Sequence, residues 1–119
     1  MRRGTEIPRV QKLIVMLEKA SKKNRAKIWK YVAELIKRPR RKKVEVNLYK
    51  IERISKDGDT IIVPGKVLGI GKLDKNITLA ALSYSKGALK NINKDKVKII
   101  DIEELIKENP KGSNIRIII

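Results

Sequence analysis

The chain has 119 residues, no cysteine, no histidine and a formal net charge of +17 at pH 7. This is the length of one domain, and an apolar fraction of 41% is enough for a core. The missing residue types exclude a disulfide framework, a thiolate metal site and histidine-based acid–base chemistry. The apolar runs are far shorter than the about 20 residues of a membrane span, and no apolar segment follows the N-terminal arginines as in a secretory signal. We therefore expect a soluble, intracellular protein.

The positive charge is concentrated in the first half of the chain. Residues 1–56 contain 19 Lys and Arg against 5 Asp and Glu, a net of +14, whereas residues 57–119 have a net of +3. A lysine-rich surface of the thermophile type has glutamate interleaved with lysine, and only the second half shows this pattern. The first half is therefore expected to bind a polyanion.

Two amphipathic helices are predicted at the N-terminus. The first begins near Pro8 and has apolar residues at helical spacing up to Leu17. The stretch "SKKNR" at 21–25 interrupts this pattern, and Pro39 ends the second helix. Most lysines of both helices fall opposite the apolar stripe, so each helix is expected to present a basic face.

The second helix runs into "KRPRRKK" at 37–43, where six of seven side chains are positive. Such charges repel one another by roughly 1 kcal/mol per near pair even in water, so we expect a bound polyanion to relieve the repulsion. Arginine holds a phosphate bidentately, whereas lysine acts as a point charge. The run is also typical of nuclear localisation signals and heparin-binding patches.

Short strands and helices alternate after the basic run, which makes α/β the predicted fold class. The predicted strands are 44–48, 60–63, 77–85, 97–102 and 115–119. The predicted helices are 49–54, capped near Asn47, then 86–92 and 103–109, with a turn at 56–59. We divide the chain into a basic helical segment at 1–43 and a compact α/β domain at 44–119.

The glycine-rich segment "PGKVLGIGKLDKN" at 64–76 is predicted to be a loop with a short extended piece at Val67–Leu68. It does not fit a phosphate-binding P-loop, because Gly65 and Gly71 are separated by five residues and Lys72 is followed by leucine. The P-loop needs four intervening residues and a hydroxyl side chain that ligates magnesium.

The same segment does not fit a dinucleotide fingerprint, since Asp74 stands where the third glycine belongs and no helical pattern follows. We interpret the glycines as positions of positive φ or close backbone approach. Such a backbone also contacts phosphate, together with Lys66 or Lys72.

No catalytic constellation is found. Asp57 and Asp59 flank a glycine in a turn, where aspartate is common for backbone reasons. Ser83 and Ser85 lack a histidine and have no lysine at an activating spacing. We expect no enzymatic activity, no cofactor, no metal and no small-molecule substrate.

The four aromatic residues are too few for a protein that binds single strands by stacking. Trp29 and Tyr84 fall on patterned positions and are predicted to be packed. Core or rim packing is favoured over base stacking for Tyr31 and Tyr49. Recognition of shape and backbone is therefore expected, not of base sequence.

Four blocks in the C-terminal two-thirds resemble a known family. They are "EVNLYKI" (45–51), "DGDTIIVPGKVLGIGKL" (57–73), "ITLAALSYSKGALKNI" (77–92) and "IEELIKENPKGSNIRII" (102–118). In their order and spacing, these blocks resemble the sequences of the large-subunit ribosomal protein eighteen-e family, the archaeal and eukaryotic relatives of bacterial large-subunit protein fifteen. The helical pair and "KRPRR" match the N-terminal part of that family, and the compact length looks like the archaeal form.

The resemblance implies a domain of irregular β-β-α turns behind a basic helical segment. It also implies a non-enzymatic constituent of the large ribosomal subunit in the cytoplasm, with large-subunit rRNA and neighbouring ribosomal proteins as partners. The candidate rRNA-binding residues are Arg2, Arg3, Arg9, Lys22, Lys23, Arg25, Lys37, Arg38, Arg40, Arg41, Lys42, Lys43, Lys66 and Lys72. The alternative is a free-standing nucleic-acid-binding regulator or chromatin protein, but the sequence has no helix-turn-helix pattern, zinc spacing or dimer heptads.

Overall fold

The computed structural model describes residues 6–119, and it describes the side chains of residues 9–39 and 41–119. The helices are α1 (Glu6–Asn24), α2 (Lys27–Ile36), α3 (Leu48–Ile54), α4 (Lys86–Asn91) and α5 (Ile102–Glu108). The strands are β1 (Val44–Asn47), β2 (Thr60–Leu68), β3 (Thr78–Tyr84), β4 (Lys98–Ile100) and β5 (Ile115–Ile117). A 3-10 turn covers Arg40–Lys42. This order confirms the α/β class, with helices first and a compact sheet-and-helix part after them.

The two predicted N-terminal helices are confirmed, with a connection shorter than the interruption expected at 21–25. The chain reverses at Arg25, whose φ is +53°, and at Ala26, which is extended. The buried side chains of the pair recur at helical spacing, and all of them except Leu35 belong to one apolar cluster. They are Leu13, Leu17, Ala20, Trp29, Val32, Ala33, Leu35 and Ile36.

The described strands form one five-stranded sheet in which every pairing is parallel. The central strand β2 pairs with β3 along one side. Its other side pairs with β5 at Thr60–Ile62 and with β1 at Gly65–Leu68. Helices follow β1, β3 and β4, whereas β2 is connected to its parallel neighbour β3 by a loop without a helix. The individual strands were predicted from the sequence, but their parallel arrangement was not.

The loop predicted at 64–76 is partly wrong, because β2 continues through Pro64 and Gly65 to Leu68. The register with β3 shifts between Val63 and Lys66, at the proline that has no N–H to donate. Gly65 is needed there because a Cβ would collide with the backbone carbonyl of Val44 on β1. Proline and glycine thus mark an irregularity inside a strand and not its end.

The two faces of the sheet are covered by different helices. Ile61 and Val63 of β2 pack on one side with residues of α3 and α4. Ile62 of β2 packs on the other side with residues of α1, α2 and α5. We call this second cluster the helix–sheet core. Its buried members are Leu13, Leu17, Ala20, Ala26, Trp29, Val32, Ala33, Ile36, Ile62, Ala80, Ile100, Ile102, Leu105 and Ile106.

Trp29 lies in the helix–sheet core and is fully buried. Its Nε1 donates to the carbonyl oxygen of Pro110 at 2.7 Å, which connects α2 to the chain after α5. Gly112, with φ +67°, lies against Ile28 and Trp29, and a Cβ there would collide with the Ile28 side chain. One large side chain therefore joins the helical pair to a segment about 80 residues further along the chain.

The division into 1–43 and 44–119 stays a prediction. Apart from Leu35, the buried members of the cluster under α3 and α4 all come from residues 44–118. The helix–sheet core draws on both parts. A separate chain of residues 44–119 would thus keep one apolar cluster and expose one face of the sheet.

Replacing Trp29 with alanine is expected to lower the free energy of unfolding by about 3–5 kcal/mol, because it opens a cavity in the helix–sheet core. Trp29→Phe keeps most of the volume and loses the hydrogen bond, worth about 1 kcal/mol, so its effect is expected to be smaller. Urea unfolding of the free protein measures both. The matched control is Tyr31→Ala on the exposed side of α2, expected within about 0.5 kcal/mol of the wild type. Equal losses in Trp29→Ala and Tyr31→Ala would contradict this account.

Candidate nucleic-acid interface

The ion pairs among the described side chains are unevenly distributed. Four of the six lie within residues 52–119. The other two join Arg9 to Glu103 and Lys37 to Glu18. The remaining basic side chains described in 9–43 form no ion pair with a described acidic side chain, and they are Lys12, Lys19, Lys22, Lys23, Arg25, Lys27, Lys30, Arg38, Arg41, Lys42 and Lys43. The described N-terminal cations are therefore largely available to an external anion.

The end of α1 presents a cluster of exposed lysines. Lys19, Lys22 and Lys23 border a groove of about 640 Å³ between α1 and the chain around Pro110. Lys22 also borders a smaller groove of about 280 Å³ with Lys30 of α2. The two helices thus share one basic surface. Lys22 borders both grooves and so connects the lysines of α1 to Lys30 of α2.

An acidic side chain lies within this basic surface. Glu18 accepts a hydrogen bond from Lys37 at 2.7 Å. This bond and the charge of Lys37 lower the pKa of Glu18, and the nearby charges of Lys22 and Lys30 lower it further. Both partners are about half exposed, so the pair mainly fixes the direction of Lys37 and contributes little stability.

In the basic run 37–43, the side chains of the first and last residues are hydrogen-bonded within the protein, and two residues between them are exposed. Lys37 is held by Glu18, and Lys43 Nζ donates to the carbonyl oxygen of Ile36 at 3.1 Å. Between them the chain makes a 3-10 turn, where Arg41 and Lys42 are exposed. Arg38 is half-buried.

Three candidate residues from distant parts of the sequence meet in a groove of about 650 Å³. Arg9 comes from α1, Lys43 ends the basic run, and Lys66 lies on β2 beside Ser83 of β3. Arg9 Nη1 donates to the carbonyl oxygen of Leu82 at 3.4 Å, which directs its guanidinium to the sheet. A concave surface lined by one sign of charge concentrates its field, so this groove suits a phosphate group.

Tyr84 closes one side of the same groove. Burial raises the pKa of its phenol, and the charge of Asp101 raises it further. Its hydroxyl donates to the carbonyl oxygen of Leu79 at 3.4 Å. Tyr84 therefore remains neutral at physiological pH and adds a polar, uncharged wall to the groove.

The glycines of the loop between β2 and β3 occupy positions of close backbone approach or positive φ, as the sequence predicted. A Cβ on Gly69 would lie 2.6 Å from the carbonyl carbon of Gly87, and Gly71 has φ +103°. Lys72 in this loop is exposed, but it does not line the groove that holds Arg9, Lys43 and Lys66. Lys72 thus belongs to a separate surface.

The remaining candidate residues differ in their exposure and in whether the structure describes them. Arg25 is exposed at the turn between α1 and α2. Arg2 and Arg3 lie outside the described residues, and so does the side chain of Arg40. Lys19 and Lys30 were not among the candidate residues but border the same grooves as Lys22. Lys19 lies three residues before Lys22 on α1, and this spacing could have predicted from the sequence that the two side chains are neighbours. The approach of Lys30 depends on how the two helices pack, so the sequence does not predict it.

No helix among residues 6–119 has the length and apolar character needed to cross a membrane.

No family model matches the chain, but known archaeal proteins do. The chain is 48% identical over 111 residues to the large ribosomal subunit protein eL18 of Methanoregula boonei, and the match covers 93% of this chain and 92% of that protein. It is 50% identical over 110 residues to that of Methanococcus maripaludis, covering 92% of each. It is 46% identical over 112 residues to that of Archaeoglobus fulgidus, covering 94% of this chain and 96% of the relative.

These relatives are all proteins of the large ribosomal subunit, and all are archaeal. At this identity and coverage, the chain belongs to the eL18 family of large ribosomal subunit proteins. The resemblance carried by the four sequence blocks is confirmed.

Replacing Arg38, Arg40, Arg41, Lys42 and Lys43 with glutamine is expected to abolish most rRNA binding and to leave the melting temperature unchanged or higher. Arg41, Lys42 and Lys43 are exposed, and exposed charges change stability by less than about 0.5 kcal/mol each; the substitutions also remove like-charge repulsion. Thermal unfolding and incorporation into large subunits measure the two effects. A fivefold control carries glutamine at Lys94, Lys98, Lys107, Lys111 and Arg116, which removes equal charge from the second half. A collapsed melting temperature, or equal loss of binding in the control, would count against the assignment.

The glycine loop is expected to show no nucleotide specificity. ATP and GTP should bind no more tightly than inorganic triphosphate, because a basic loop attracts the phosphates alone. Isothermal titration calorimetry with and without magnesium measures this, and Lys72→Gln serves as the variant that removes the loop cation. Micromolar, magnesium-dependent binding of ATP would overturn the interpretation.

Proposed function

We propose that this protein is a structural constituent of the large ribosomal subunit that binds large-subunit rRNA through the phosphate backbone and stabilises the packing of rRNA segments. The observation that carries the proposal is the surface of unpaired cations on α1, α2 and the basic run, joined by the groove of Arg9, Lys43 and Lys66. Membership of the eL18 family supports it.

The physical basis is neutralisation of phosphates where rRNA segments approach one another. Each lysine or arginine that contacts a phosphate releases condensed counterions, and this release supplies much of the affinity. Arg41 and Lys42, exposed on the 3-10 turn, are placed to contact a phosphate directly. Arginine adds a bidentate geometry that lysine lacks, so we assign Arg41 a positioning contact.

The groove of Arg9, Lys43 and Lys66 is assigned a different part in binding. It is concave, and its cations come from α1, the basic run and β2, so one phosphate in it would be approached from three sides. Exposed lysines on α1 and α2 would extend the contact along the RNA backbone. Recognition then depends on the shape of folded RNA, since backbone contacts carry no base information.

The proposal places the protein on the ribosome in the cytoplasm, beside other large-subunit proteins. It assigns no catalytic residue, no cofactor and no small-molecule substrate. The test is cosedimentation of the native protein with large subunits through high-salt sucrose. Retention on the large subunit supports the structural assignment, whereas release together with tight binding to duplex DNA favours a free-standing regulator.

Affinity for large-subunit rRNA should fall steeply with salt. At least six phosphate contacts are expected from the cations of residues 1–56, and log K changes by about 0.7–0.9 per contact for each unit of log salt concentration. Filter binding between low and moderate salt measures the slope. The glutamine variant of the basic run should give a shallower slope than the control variant. A wild-type slope equivalent to two contacts or fewer would contradict electrostatic backbone binding.

A further inference from the structure

Two residues with large exposed side chains are joined through their backbones at the carboxyl end of the sheet. Tyr49, near the start of α3, is 51% exposed, and Ile70, in the glycine loop, is 67% exposed. The backbone N–H of Tyr49 donates to the carbonyl oxygen of Ile70 at 3.0 Å, so the two residues are in direct contact. We call this pair the Tyr49 platform. Adjacent large apolar side chains on a surface mark an interaction site more often than scattered ones do.

The Tyr49 platform is held in a fixed arrangement. The backbone N–H of Ile70 donates to Asn47 Oδ1 at 3.2 Å, so both backbone polar groups of Ile70 are bound within the protein. Asn91 Nδ2 donates to the carbonyl oxygen of Gly69 at 2.9 Å. Gly71, at φ +103°, approaches the backbone of Tyr49 so closely that a Cβ would lie 2.6 Å from its nitrogen. A surface ordered before binding loses less entropy on binding.

The surroundings of the platform are positive. Lys72 lies in the same loop, and Lys86 and Lys90 lie on α4, against which Gly69 packs. Among the described side chains, none of these three lysines forms an ion pair.

The acidic side chains on either side of the loop are already bound within the protein. Asp74 accepts a hydrogen bond from Asn93 and pairs with Lys96. Glu52 accepts from the backbone N–H of Asp74 and pairs with Lys75. The free charge around the platform therefore favours an anionic partner.

We propose that the Tyr49 platform binds an unstacked nucleotide of rRNA, with the base on the Tyr49 ring and the Ile70 side chain and the adjoining phosphate on Lys72. An RNA nucleotide combines a flat apolar face with a negative charge, which matches this arrangement better than a neutral protein surface does. The proposal rests on the proposed rRNA binding and adds a contact that does not depend on phosphate alone. Tyr49 thus takes the stacking alternative that its residue type left open.

Binding of the intact protein to folded large-subunit rRNA separates stacking from charge. Tyr49→Ala is expected to weaken binding about tenfold with an unchanged salt slope, because no phosphate contact is lost. Tyr49→Phe should restore near wild-type affinity, since the ring is kept. Lys72→Gln should instead reduce the salt slope by about one. The matched control is Tyr31→Ala, which removes a tyrosine of similar exposure, 45%, from α2 and is expected to change affinity less than twofold.

A photoreactive benzoylphenylalanine at position 49 in assembled large subunits identifies the partner directly. A crosslink to an unpaired rRNA nucleotide supports the proposal. A crosslink only to a neighbouring protein, no crosslink, or equal weakening by Tyr49→Ala and Tyr31→Ala overturns it. Wild-type protein that fails to bind rRNA at all would instead refute the proposed function. If wild type and Tyr49→Ala bind rRNA equally well, only the platform assignment fails.

Discussion

The helix–sheet core is the contact on which the rest of the structure depends. It holds the two N-terminal helices, α1 and α2, against one face of a parallel sheet, and Trp29 lies buried within it. Apolar burial of this kind is not weakened by the net charge of the helices, because the lysines point away from it. It also sets the distances among cations on different elements. Arg9 on α1 approaches Lys66 on β2 only because the helices are docked on the sheet.

The protein separates stability from binding. Burial of aliphatic side chains on both faces of β2 provides the core, whereas most described cations of the first half have no ion pair. Exposed ion pairs contribute little to stability, so leaving these cations unpaired costs the free protein little beyond their mutual repulsion. A polyanion relieves that repulsion when it binds. Under the proposed function, the binding energy would therefore come from groups that the fold itself does not need.

Local patterns predicted the secondary structure well where one physical preference was dominant. The helical spacing of apolar residues predicted α1 and α2, and α2 ends at Ile36, shortly before Pro39, as expected. The prediction was wrong at Pro64 and Gly65, which usually mark turns. There the neighbouring strands β1 and β3 bind the chain on both sides, so pairing overrides the local preference for a loop. Asn47 is the N-cap residue of α3 as predicted, but its side chain makes no capping hydrogen bond and instead accepts one from the backbone N–H of Ile70.

The sequence by itself determined the net charge and its position, the two amphipathic helices, the α/β class and the family, because these depend on residue types and on their spacing along the chain. Only the tertiary structure decided that the described sheet pairings are all parallel, that Arg9, Lys43 and Lys66 share a groove, and that the exposed residues Tyr49 and Ile70 are joined by a backbone hydrogen bond. These features join residues about 17 to 57 positions apart. Such contacts follow from how whole apolar faces pack together, and no local propensity encodes them.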